Sequence, residues 1–127
     1  MGFIFTAGII IYARAQYVVP VIMYHKVDGD SSHSRLSVSP ESFERQMRFL
    51  KRRKYNVVKL EDFAKMIREN QFPAKTIAIT FDDGYENNYT NAYPVLKALG
   101  LNATIFIIPA MVGTEGYMTW PQILEMS

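Results

Sequence analysis

Asp82 and Asp83 stand side by side immediately before Gly84, at the C-terminal end of the run Thr76-Ile77-Ala78-Ile79-Thr80-Phe81. Paired carboxylates can divide a hydrolysis between them, one holding a cation while the other addresses a water or substrate beside it. Neighbouring strand residues point to opposite faces, so the two acids need not share one task. The plainer alternative is a turn, because Asp-Gly pairs are good turn formers. The preceding run argues for function: it has no helical period, is β-branched and aromatic, and reads as a strand covered on both faces in a parallel sheet. In parallel α/β folds, functional groups gather at the C-terminal ends of strands. His25 has a similar place, at the end of an apolar strand, where a barrel would bring it towards Asp82. From the residues alone, a histidine that caps the strand end is the favoured reading. His33, the other histidine, lies in the polar stretch Asp28–Arg35 and reads as solvated.

The elements that must position these residues alternate between strand-like and helix-like from Tyr17 onward, the pattern of βα units around a parallel sheet. A first strand is expected over about Val18 to Tyr24. A helix follows, with Ser39 as N-cap, Pro40 at its first position, Val38 stapled onto Phe43, and a buried face of Phe43, Met47 and Leu50. Tyr55 to Val58 reads as a second strand, and Phe63, Met66 and Ile67 mark a second helix ending before Pro73. After the acidic strand, a third helix is expected from around Asn91 to Leu99, with Pro94 in its first turn and Gly100 as its stop. Ala103 to Ile108 reads as a fourth strand. Thr119 opens a last helix, with Gln122 completing a capping box and Met118 facing Ile123. The fold class is therefore α/β, and four parallel strands make half a barrel or a small open sheet with bare edges.

The chain has 127 residues, 49% hydrophobic and 13% aromatic, enough for one domain with a core and unlike a disordered segment. A net charge of +2 is too small to imply a nucleic-acid partner. The basic residues Arg45, Arg48, Lys51, Arg52, Arg53 and Lys54 read as a solvated helix face rather than an anion-binding patch. With no cysteine, neither disulfides nor a thiolate metal site is available. Phe3 to Tyr12 is apolar and uncharged, shorter than the about 20 residues of a membrane span but of h-region length, and Ala13-Arg14-Ala15 resembles a small-x-small cleavage site. Residues 1–16 are accordingly expected to be a signal peptide or membrane anchor, and residues 17–127 a catalytic domain outside the cytoplasm. Asn88 and Asn102 each open an Asn-x-Thr triplet, read here as chance, and Trp120 at the start of a helix reads as a packing residue.

Among enzymes that place acids in this way, a phosphoacceptor receiver domain needs a later aspartate, and none follows Asp83. A haloacid-dehalogenase-type phosphatase needs a second aspartate two residues after the nucleophile, where Gly84 stands after Asp82. A third class fits. The stretch Thr80-Phe81-Asp82-Asp83-Gly84-Tyr85, with Asn88-Tyr89, Pro94, the run LKALGLNATIFI and Met118-Thr119-Trp120, resembles the polysaccharide deacetylase family, carbohydrate esterase family four, with its NodB-like homology domain. Tyr24-His25-Lys26-Val27 resembles the opening of the circularly permuted members, which include poly-N-acetylglucosamine deacetylases. The resemblance covers about residues 17–127 and implies a fold that is the N-terminal half of a distorted (β/α) barrel with about four parallel strands, truncated.

That resemblance implies hydrolysis of N-acetyl groups from an N-acetylglucosamine-containing polysaccharide of exopolysaccharide, peptidoglycan or chitin type, in the envelope of a bacterial cell. It makes Asp82 the catalytic base that activates water, Asp83 the carboxylate ligand of a divalent metal, usually zinc, and His25 the acid that protonates the leaving amine. The family completes its metal site with two histidines in an H-x-x-x-H motif, and no histidine follows His33 here. One carboxylate cannot hold a catalytic zinc, which takes three protein ligands. The expectation is thus an incomplete part of a deacetylase; the alternative is an inactive or glycan-binding member of the family.

Overall fold

A computed structural model of the protein describes residues 20–29, 35–69 and 71–127. The apolar run Phe3–Tyr12, Val18 and Val19 of the expected first strand, and His33 lie outside the described residues. In chain order the elements are β1 (Val21–Tyr24), β2 (Lys26–Val27), β3 (Ser37–Val38), α1 (Pro40–Arg52), β4 (Asn56–Val58), α2 (Leu60–Glu69), β5 (Thr76–Phe81), a π-helical turn (Asn88–Ala92), α3 (Tyr93–Leu99), β6 (Thr104–Ile105), a 3₁₀ turn (Pro109–Met111) and α4 (Trp120–Met126).

β5 is the centre of a parallel sheet, and every one of its residues is buried. On one side it pairs with β1, in the register Val21 to Ala78 through Tyr24 to Phe81. On the other side it has two successive partners: β4 along Thr76–Ala78, then β6 along Thr80–Phe81. Where β4 and β6 part, side chains bridge the gap. The Leu60 amide donates to Thr104 Oγ1 at 3.3 Å, which satisfies one of the free donors at the start of α2. The Asn102 amide donates to the Val57 carbonyl at 3.3 Å. A separate pair, β2 with β3, is also parallel and extends the chain just past β1.

The core lies between the sheet and α1. Ser39 caps that helix by accepting from the Ser42 amide at 3.2 Å, Pro40 occupies the first turn, and Phe43, Met47 and Leu50 are buried. Val38 packs against the same cluster. Under the C-terminal end of the sheet three rings meet: Tyr24 and Phe81 stack at 5.4 Å, and Phe43 approaches them at 5.2 and 5.8 Å. The six basic residues 45, 48 and 51–54 are exposed, as a solvated helix face requires. At the other end of the chain, the Gln122 side chain accepts from the Thr119 amide at 2.7 Å, and Gly100 ends α3 with φ 60°.

Several elements differ from the sequence expectation. The fourth strand is only Thr104–Ile105. The Phe106 amide donates to the carbonyl of Phe81, the last residue of β5, at 2.8 Å; beyond it the chain turns at Asp83 with φ 72°, and the Gly84 carbonyl accepts from Met118 at 3.1 Å. Residues beyond 106 therefore find no ladder partner on β5, and Pro109 has no N–H to offer. The third helical region begins earlier than Asn91, because the chain coils from Glu86 and passes through the π turn before α3. The second helix is present, but Ile67 is exposed and α2 has no fully buried residue. Trp120 is 53% exposed rather than packed, and it shares a helical face with exposed Leu124 that no described element covers. Among the described residues, no helix is long and apolar enough to cross a membrane.

Candidate active site

The parallel pairing of β1 with β5 decides what stands at the mouth of the sheet. Tyr24 and Phe81 are register partners, so the residues that follow them, His25 and Asp82, emerge side by side. The Asp82 amide continues the ladder by donating to the Tyr24 carbonyl at 2.9 Å. His25 Nε2 lies 3.9 Å from Asp82 Oδ2, and the two side chains are 18% and 30% exposed. This is near enough for an ion pair when the imidazole is protonated, and open enough for a solute to reach both. Alternation along β5 puts Asp82 on the face of Thr76, Ala78 and Thr80, opposite the large core residues Ile77, Ile79 and Phe81.

Asp83 departs from the reading that strand alternation separates it from Asp82. It has left the strand: its φ is 72°, and Gly84 follows with φ 77°. Aspartate is one of the few non-glycine types that tolerate this region, and strain of this sort concentrates at functional sites. A turn, not a pleat, therefore separates the carboxylates, and the first acid belongs to the ladder while the second belongs to the turn. Gly84 is required twice over, since its φ is positive and a Cβ would meet Ile107 Cγ2 at 3.0 Å.

The turn is braced from outside. Tyr85 forms an antiparallel bridge with Tyr117, their rings stack at 5.0 Å, and Lys26 Nζ sits 4.5 Å over the Tyr85 ring. Burial first, then the neighbouring Tyr117 and Asp83, push the Tyr85 hydroxyl up to about 12. Sequence reasoning quoted Lys26 and Tyr85 only as members of their motifs and passed over Tyr117.

Three asparagines hold the His25 side of the site. The Val27 amide donates to Asn87 Oδ1 at 3.0 Å, Asn88 Nδ2 donates to the His25 carbonyl at 2.8 Å, and Asn91 Nδ2 donates to the Val27 carbonyl at 2.7 Å. Asn87 Nδ2 also reaches Asp28 Oδ2 at 3.2 Å. Their signal in the sequence was three amides at 87, 88 and 91, one helical face apart from the acids.

A divalent metal fits this set only in part. Asp83 offers one carboxylate, but among the described residues no three His, Cys, Asp or Glu side chains converge as a metal site. Catalytic zinc takes three protein ligands, so the described residues do not hold it by themselves.

Beside the site, a cavity of about 530 Å³ opens between β5, β6, the π turn, α3 and α4, with Phe81, Asn88, Ile107, Met118 and Ile123 among its walls. Met118 and Ile123, expected to face each other, both line it.

Comparison with known proteins bears on what this arrangement does. Residues 69–127 match the polysaccharide deacetylase family model. The chain is 40% identical over 81 residues to the poly-beta-1,6-N-acetyl-D-glucosamine N-deacetylase of Staphylococcus aureus, an alignment covering 64% of this chain and 28% of that protein. It is 38% identical over 110 residues to the Bacillus subtilis protein YxkH, whose name places it among polysaccharide deacetylases, with 86% of this chain and 38% of that protein covered. Among solved structures, the Streptococcus pyogenes deacetylase PplD in complex with acetate superposes with a TM-score of 0.79 at 30% identity, over 85% of this chain and 51% of that one. IcaB from Ammonifex degensii superposes with a TM-score of 0.75 at 31% identity, over 85% and 47%. The chain thus spans less than two fifths of these curated relatives, and its parallel sheet is part of their (β/α) barrel. With motif, fold and relatives in agreement, residues 69–127 belong to the polysaccharide deacetylase family, and the chain as a whole is similar to part of its members.

Proposed function

We propose that this protein takes part in the hydrolysis of N-acetyl groups from a polysaccharide containing N-acetylglucosamine. The observation that carries the proposal is the 3.9 Å approach of His25 Nε2 to Asp82 Oδ2 at the mouth of the sheet, beside Asp83. Cleaving an acetamide requires a water made nucleophilic and an amine made into a leaving group. Asp82, half-buried and fixed to the ladder, takes the proton from the attacking water. His25, on the neighbouring strand end, delivers a proton to the departing nitrogen as general acid. Asp83 is the carboxylate offered to a divalent metal, zinc by analogy with the family, and the remaining ligands lie outside the described residues. The described residues therefore supply part of the site, and the 127-residue chain assayed alone is expected to release no acetate. A polymeric substrate too large to enter the cytosol favours an extracytoplasmic location, which the uncharged run Phe3–Tyr12 suits as a signal or anchor.

A second reading, a glycan-binding member without turnover, is favoured by one observation: no third metal ligand converges among the described residues. Acetate release from N-acetylglucosamine oligomers, by a protein in which this domain is continued as in its relatives, separates the two. Asp82→Asn should keep the bound metal but lose turnover by about 10²–10⁴-fold, the usual cost of a general base. Asp83→Ala should lose metal by elemental analysis, whereas His25→Ala should keep metal and lose most of kcat. Equal metal loss in Asp82→Asn and Asp83→Ala would show that the acids bind jointly and overturn the division of roles.

A further inference from the structure

Asn88 opens one of the two Asn-x-Thr triplets, but it is no surface acceptor. It is 1% exposed, inside the turn that follows the acids. Its Nδ2 donates to the His25 carbonyl at 2.8 Å and approaches Asn87 Oδ1 at 3.4 Å, while its Oδ1 has no partner among the described residues. Burying an amide with an unbonded oxygen is unfavourable, so a residue retained for packing alone would be apolar at this position. What the amide achieves is one short bond to the backbone of His25.

That bond matters because of where His25 sits. It is the single residue between β1 and β2, belonging to neither. The following residues are held as well, Val27 at both its amide and its carbonyl by Asn87 and Asn91, and Asp28 by Asn87. Asn88 and Asn91 belong to a π-helical turn, a rare coil that occurs frequently at functional sites, and Asn87 immediately precedes it. Asp82 is set by the ladder on the other side of the gap, through its 2.9 Å bond to the Tyr24 carbonyl. The separation of imidazole and carboxylate is thus fixed by two anchors, one in the sheet and one at Asn88.

We propose that Asn88 is a positioning residue for the deacetylation: by bonding the His25 carbonyl it fixes the peptide plane after His25, and with it the reach of the imidazole towards Asp82 and the leaving nitrogen. The proposal rests on the reading of His25 as proton donor. Asn88 need not touch the polysaccharide, and Asn87 and Asn91 hold only the residues beyond.

Two measurements test it. The first is made on this chain and needs no turnover. With His33→Gln, His25 is the single histidine left, so its ring resonances are read directly by NMR. Asn88→Ala should shift and broaden them while the amide signals of β5 stay in place. Unchanged His25 ring signals in folded Asn88→Ala would overturn the proposal. Should Asn88→Ala not fold, Asn88→Asp keeps the volume, removes the donor and is judged by the same outcomes.

The second measurement is a double-mutant cycle in the active, continued protein. Asn88→Ala should lower kcat on the order of 10–10²-fold with KM little changed, the size of effect expected from misplacing a catalytic group by about 1 Å. In a His25→Ala background it should lower kcat no further. A loss that multiplies onto that of His25→Ala would overturn the positioning role. If His25→Ala leaves kcat intact, the proton-donor reading has failed instead, and the ring resonances still decide whether Asn88 orders His25.

Discussion

The ends of β5 and β1 carry Asp82 and His25 next to each other, but backbone bonds hold the first and side-chain bonds hold the second. β5 is buried along its whole length with strands on both sides, and the Asp82 amide extends its ladder to Tyr24. At His25 the β1–β5 ladder has stopped; the His25 carbonyl is held by Asn88, and the residues that follow are held by Asn87 and Asn91 together with the short β2–β3 pairing. A ladder is a by-product of the fold and is stable wherever the sheet is. A set of amides is specific to these few residues and can be removed one at a time. The carboxylate side of the site should therefore fail only with the fold, and the histidine side should be separable from it.

The strongest way to break this contrast is at Phe81, which is wholly buried against Tyr24 and Phe43 and immediately precedes Asp82. Phe81→Ala removes the ring on which both strand ends rest. Truncations of this kind cost about 3–5 kcal/mol, a large part of the stability of a domain of this size. Urea denaturation should show a midpoint far below that of the unaltered protein, with His25 and Asp82 both lost to order. A midpoint shifted by less than about 1 kcal/mol would mean that the sheet end does not depend on the aromatic cluster.

What was legible in the sequence follows the same division. β5, α1 with its Ser39 cap, the stop at Gly100 and the capping box at Thr119 all announce themselves through local patterns, because burial on both faces or a terminal hydrogen bond demands particular residue types nearby. The acids were legible for the same reason, being polar residues at the end of an apolar strand. The clamp on His25 was not, since its bonds join residues about 60 apart and asparagine favours helices poorly enough to suggest a loop. Likewise the shortness of β6 depends on which carbonyls of β5 and Gly84 are already taken, a fact of tertiary pairing. Trp120 was misread because an amphipathic start looks the same whether or not another element covers it.

A smaller effect distinguishes the two sides by pH. Tyr24, just before His25, is buried, and this pushes its hydroxyl up to about 12. In the unfolded chain a tyrosine titrates near 10. Because the folded value is the higher one, folding is favoured by this group at full strength below about pH 10, and the contribution is lost as pH rises towards about 12. Tyr85, just after Asp83, acts in the same window, with charge from Asp83 adding to burial. The urea midpoint should thus fall steeply across that interval, and Tyr24→Phe should make the fall shallower without abolishing it. An equally steep fall in Tyr24→Phe would place the alkaline sensitivity elsewhere.

The smallest expected effect is also the most local. Asn91 donates to the carbonyl of Val27, a residue with no exposed surface, at 2.7 Å. Asn91→Ala leaves that buried acceptor without its partner, a loss of about 1–3 kcal/mol. If the histidine side is held independently of the β5 ladder, the penalty should be confined there. Hydrogen exchange would then quicken at the Val27 and Asp28 amides, which donate to Asn87 Oδ1 and to the Val38 carbonyl, while the β5 amides and that of Asp82 keep their protection. Faster exchange spread evenly over both strand ends would mean that the two sides open as one unit. The asparagines would then be part of the general fold, and His25 would be no more adjustable than Asp82.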